Sequence, residues 1–171
     1  IGAYETGQRA DGRCTLFRFI DPATPGFPKM IEVFASVLPG MEPPPGQTII
    51  PIPAGEEASS LSAILLDSDY YEFVLAQREL LDGLPVIRPA GLIPLKARAW
   101  LDLTQRRSGG DTTVKADDVN KPRADIFRLA TLLPVGETIP VPEIIASDIQ
   151  SFLRAFPASS SDWPAILASL A

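Results

Sequence analysis

Along the first third of the chain, apolar and polar positions alternate with a period of two. In Arg13 to Phe19 (RCTLFRF), Thr15, Phe17 and Phe19 fall on one side and Cys14, Leu16 and Arg18 on the other, which predicts a half-buried strand. Lys29 to Val37 (KMIEVFASV) predicts a second strand, with Met30, Glu32 and Phe34 sharing a face. The connection between them, DPATPGFP, is too long for a tight turn but suits a return between antiparallel neighbours. Residues 39–46 (PGMEPPPG) read as an extended surface loop. Thr48 to Pro53 suits a short edge strand, because its prolines cannot donate to a ladder. Ser60 to Leu66 is an apolar run too short to assign by period.

From there the period lengthens towards that of a helix. An imperfect apolar stripe through Tyr70, Tyr71, Val74, Leu75, Glu79 and Leu81 predicts a helix over 68–81, capped by Asp67 or Ser68 and stopped by Gly83. Leu84 to Ile87 is a short strand candidate. Leu92, Leu95, Ala99 and Leu103 predict a helix over 91–107, with Pro94 in its first turn. A third helix runs to Leu133 with Ile126, Leu129, Ala130 and Leu133 inward; Pro122 predicts that it restarts there, capped by Asn120 or Lys121. Residues 142–156 predict a fourth, with Ile144, Ile145, Ile149, Phe152 and Leu153 inward. A last helix follows Ser161 or Asp162.

Strands first and helices afterwards predict an α+β (or α/β) chain: a small partial sheet region over 1–87 and a helical bundle over 88–171. A sheet of two or three strands is marginal alone, so further strands are expected upstream of Ile1.

Composition narrows the chemistry. The 171 residues suit roughly one domain, and 46% hydrophobic content supports a packed core. With no histidine, Ser-His-Asp triads, Cys-His dyads and HExxH zinc sites are excluded. The single cysteine, Cys14, can form no internal disulfide and fits a reducing, cytoplasmic setting. No run approaches the length of a membrane span, so no membrane partner is expected. The formal charge of −6 is uneven: residues 88–128 hold nine basic and five acidic groups, while 129–171 hold one and four. That basic segment suits either a phosphate-rich ligand or a solvated helix face.

Five phrases carry a resemblance: LFRF (16–19), FPKMIEVFA (27–35), SSLSAILLDSDYY (59–71), LIPLKARAWLDLTQRR (92–107) and DDVNKPRADIFRLATLL (117–133). In their order and spacing they resemble the C-terminal two-thirds of a bacterial nucleotidyltransferase-like family related to the AbiEii toxins. The resemblance covers most of residues 13–155. It implies a nucleotidyltransferase-type core followed by a helical domain, acting with Mg²⁺ on a nucleoside triphosphate and an acceptor that in relatives can be RNA. The family's Gly-Gly/Ser helix start and Asp-x-Asp strand are absent here and are expected upstream, so this chain is expected to be inactive alone. Glu32 matches the family's third acidic position and is the implied catalytic and metal-binding carboxylate. Lys96 matches a helical lysine facing the nucleotide. Asp125 matches the first Asp of a pattern resembling R-D-x-x-D-L and is the second implied catalytic residue; the pattern's second Asp is Arg128 here. Where relatives have Lys-His-Arg, this chain has Lys121, Pro122 and Arg123.

Each residue also has a plainer reading. Glu32 suits a solvent-facing position of an alternating strand. Lys96 suits a lysine snorkelling at the edge of a core stripe. Asp125, spaced i,i+3 and i,i+4 from Arg128 and Lys121, suits a surface ion-pair ladder. The functional alternative to an enzyme fragment is a non-catalytic module that binds a protein partner in a toxin–antitoxin or defence system.

Overall fold

The structure, a computed structural model, describes residues 4–8, 14–36, 49–51, 62–65 and 67–170. The loop expected at 39–46 lies outside them. The fold is α+β, and the chain divides into two compact units, 1–71 and 72–171. The division expected at 87/88 differs from this one: the strands just before it belong with the helices that follow.

The first unit holds two small sheets. β1 (Glu5–Gln8), β2 (Cys14–Ile20) and β3 (Met30–Glu32) form an antiparallel meander. The proline-rich connection does return the chain antiparallel, closed by Asp21 N–H donating to Lys29 O at 3.1 Å. β1 was not foreseen, since Glu5–Gln8 (ETGQ) has no apolar alternation. The expected strand 29–37 is split: β3 pairs with β2, whereas β4 (Phe34–Ala35) runs parallel to β6 (Ser62–Leu65) in the second sheet. β5 (Ile49–Pro51) lies at that sheet's edge, as Pro51 requires. The ambiguous run at 60–66 is therefore a central strand, and β2 lies against it.

α1 (Ser68–Ala76) starts where predicted, with Asp67 Oδ1 accepting from the Asp69 N–H at 2.9 Å. It ends five residues early, because 78–81 is a strand, β7 (Arg78–Leu81), paired with β8 (Leu84–Ile87). Gly83 is not a helix stop. Asp82 and Gly83 both have positive φ, 51° and 80°, and form the two-residue turn of a hairpin.

α2 (Pro89–Ser108) and α3 (Ala116–Ala130) pack on each other, and α4 (Glu143–Arg154) packs on α2. α2 begins earlier than predicted, so Pro94 lies beyond the first turn. α3 passes straight through Pro122 rather than restarting there. Each proline removes one ladder bond at a cost of about 3 kcal/mol. Both are buried, and burial of their rings offsets that cost.

The core centres on Ala97, Ile126, Phe152, Phe156 and Ile166, the last from α5 (Trp163–Ala168). Trp100, Phe127 and Trp163 pack against it, with ring centroids 5.0 to 5.6 Å apart among the aromatic pairs. These edge-on and tilted pairs add about 0.5–1.5 kcal/mol each beyond area burial. Ala130, Leu133, Ile144 and Leu153, all expected inward, are exposed instead. Asp148 takes a buried position on α4 because Arg98 of α2 meets its carboxylate at 3.3 Å.

Candidate functional site

Lys96 follows Leu95 on α2 and precedes the buried Ala97, so its stem runs along the margin of the core. Asp125 precedes the buried Ile126 on α3 and occupies the matching margin. Packing of the two helices brings Lys96 Nζ to 2.8 Å from Asp125 Oδ2. The other carboxylate oxygen, Oδ1, lies 3.9 Å from Arg128 Nη1 one turn on. Arg128 also donates from Nε and Nη2 to Ser169 O, at 3.2 and 3.1 Å, which ties α3 to the end of α5. Two cations thus hold one carboxylate, leaving the cluster with an excess of one positive charge. Lys96, Asp125 and Arg128 thus form one ion-pair cluster where α2 packs on α3, which is the plain reading of Asp125 extended to a lysine of the neighbouring helix.

Glu32 belongs to the first unit. It ends β3, half-buried and opposite Arg18 in the β2–β3 register. Among the described residues no three carboxylate or cysteine side chains lie close enough together to hold a metal ion.

The structure gives the basic segment a third explanation. Its cations are largely matched by carboxylates of the same unit, several from the acidic stretch that follows. Arg88 Nη2 donates to Glu137 Oε1 at 2.6 Å, Arg98 meets Asp148, and Arg123 lies 3.9 Å from Asp162. The hydrogen bond and charge of Glu137 raise the Arg88 pKa further. The signal was present in the change of charge sign at residue 129, but the partner of each cation depends on helix packing.

One tight turn joins α2 to α3. Asp111 Oδ2 accepts from Arg106 Nη2 at 2.8 Å, and Oδ1 accepts from the Thr113 hydroxyl at 2.6 Å and its N–H at 2.9 Å. These bonds, Thr113's hydroxyl first and then Arg106's, lower the Asp111 pKa from 3.8 to about 2. Lys115 N–H donates to Asp118 Oδ2 at 2.8 Å and closes the start of α3. The turn borders an open concavity of about 550 Å³, which Arg107 and Lys115 also line.

No helix among the described residues is long and apolar enough to cross a membrane. No family model matches the chain, and neither does any curated protein or solved structure.

Proposed function

We propose that the chain takes part in Mg²⁺-dependent nucleotidyl transfer to an RNA or other acceptor, as the partial-sheet and helical portion of a nucleotidyltransferase-like protein. One observation supports this reading most. Lys96 and Asp125, both singled out by the same resemblance and carried on different helices, meet at 2.8 Å. In this reading a triphosphate oxygen competes with Asp125 for the Lys96 ammonium, and Arg128 supplies a second positive charge beside it. Lysine serves phosphate as a point charge, so the exchange needs no fixed fork geometry. By the same resemblance Glu32, in the first unit, is proposed separately as one carboxylate ligand of Mg²⁺. The remaining ligands would have to come from elsewhere, and the chain alone is expected to transfer no nucleotide.

Calorimetric titration with Mg²⁺-ATP and Mg²⁺-GTP tests this. Binding weaker than about 1 μM is expected. Lys96→Ala should abolish it, and Asp125→Asn should strengthen it by removing the competing charge. Equal binding by wild type and Lys96→Ala, or sub-micromolar binding, would count against the proposal. A second reading, a non-catalytic protein-binding module, is favoured by the exposed apolar segment after α3, where Leu132 is 64% accessible and Val135 fully so. No nucleotide binding even at millimolar concentration would leave that reading standing.

A further inference from the structure

The β7–β8 hairpin carries more exposed apolar surface than its position requires. Leu80, Leu81 and Leu84 are 75%, 60% and 67% accessible. They occupy both faces of its tip: Leu81 stands beside Leu84, and Leu80 beside Pro85 on the opposite face. A two-stranded hairpin is marginal in water, and among the described residues no third strand joins it.

Its two outer edges are unequal. In a hairpin closed by a two-residue turn the flanking pair, Leu81 and Leu84, exchanges both hydrogen bonds, and pairs alternate from there. Arg88 N–H donates to Gln77 O at 3.0 Å, which sets the same phase at the base. The backbone groups of Arg78 and Leu80 therefore turn to the outer edge of β7. On β8 the position of that phase beside Leu80 is Pro85, which has no N–H to offer. Proline blocks the β8 edge, and β7 is left open.

We infer that β7 pairs antiparallel with β7 of a second copy of this chain, across a two-fold axis at Leu80. This register joins the outward-turned groups of Leu80 to those of its counterpart. It also brings Arg78 of each copy beside the turn residue Asp82, which follows the other copy's β7, twice. Arg78 and Asp82 are exposed, and neither has an ion-pair partner among the described residues. Charge complementarity thus selects the register, and Leu80 and Pro85 of both copies form an apolar strip on one face. The interface is small, so the dimer is concentration-dependent. This inference is independent of nucleotide binding.

Sedimentation of the whole chain over a concentration series tests it, and a reversible monomer–dimer equilibrium is expected. Leu80→Lys places two ammonium groups together at the axis, and Arg78→Asp faces Asp82 with a like charge. Each should weaken dimerisation about tenfold or more, equivalent to about 1.4 kcal/mol. Both positions are exposed, so circular dichroism should be unchanged. Leu132→Lys, in the other exposed apolar segment, should leave the equilibrium as it was. A chain that stays monomeric throughout overturns the inference, as does a dimer indifferent to both hairpin variants.

Discussion

Asp111 shows how one residue can brace a turn. Its folded pKa of about 2 lies below the ordinary 3.8, so the carboxylate form favours the folded turn. That contribution is complete above pH 3.8 and disappears as the pH falls towards 2. Thr113→Val removes the hydroxyl bond, the largest cause of the shift. The Asp111 carboxyl, followed by NMR titration, should then move back towards 3.8, and amide exchange at residue 113 should quicken. Asp148 is the buried counterpart. Its burial was invisible to apolar periodicity: Asp148 shares the buried face of α4 with Ile145 and Phe152, while Ile144 and Leu153, counted in the apolar stripe, are exposed.

At the scale of elements, the close approach of Gly91 to the hairpin base shapes the second unit. A Cβ on Gly91 would lie 2.7 Å from both Gln77 Cβ and Ile87 Cγ2. Gly91→Ala should therefore shift the hairpin base from α2 and destabilise the unit by about 1–3 kcal/mol in a urea titration. Alanine at Gly83 meets open space and carries only the strain of positive φ. The sequence supported α2, α3 and α4 strongly, since their stripes persist over several turns. It supported β7 poorly. Arg78–Leu81 (RELL) extends the stripe of α1, and only the Asp82–Gly83 turn shows that the chain reverses there. Pro94 and Pro122 misled for a related reason: local rules forbid interior prolines, and tertiary burial overrode them. Lys96 and Asp125 were identifiable one at a time. Their meeting depended on the packing of α2 on α3, which no local pattern encodes.

For the whole chain, charge is distributed by unit. Residues 1–71 carry four basic and nine acidic groups, net −5, whereas 72–171 carry eleven and twelve, net −1. The second unit is almost neutral, and its cations are spent on internal pairs rather than on a basic surface. Each exposed pair contributes at most about 1 kcal/mol and is screened by salt. Thermal unfolding of the helical unit should therefore fall by about 2–6 °C between low salt and ~1 M NaCl. A rise would mean that like-charge repulsion outweighs the pairs.

Pro94 and Pro122 have one further consequence, for the order in which the helices form. Each interrupts a segment that would already be a poor helix in isolation, and each becomes tolerable only when its ring is covered. Because α2 and α3 pack on each other, hydrogen exchange should find their amides opening as one unit, with neither helix persisting once its proline is uncovered.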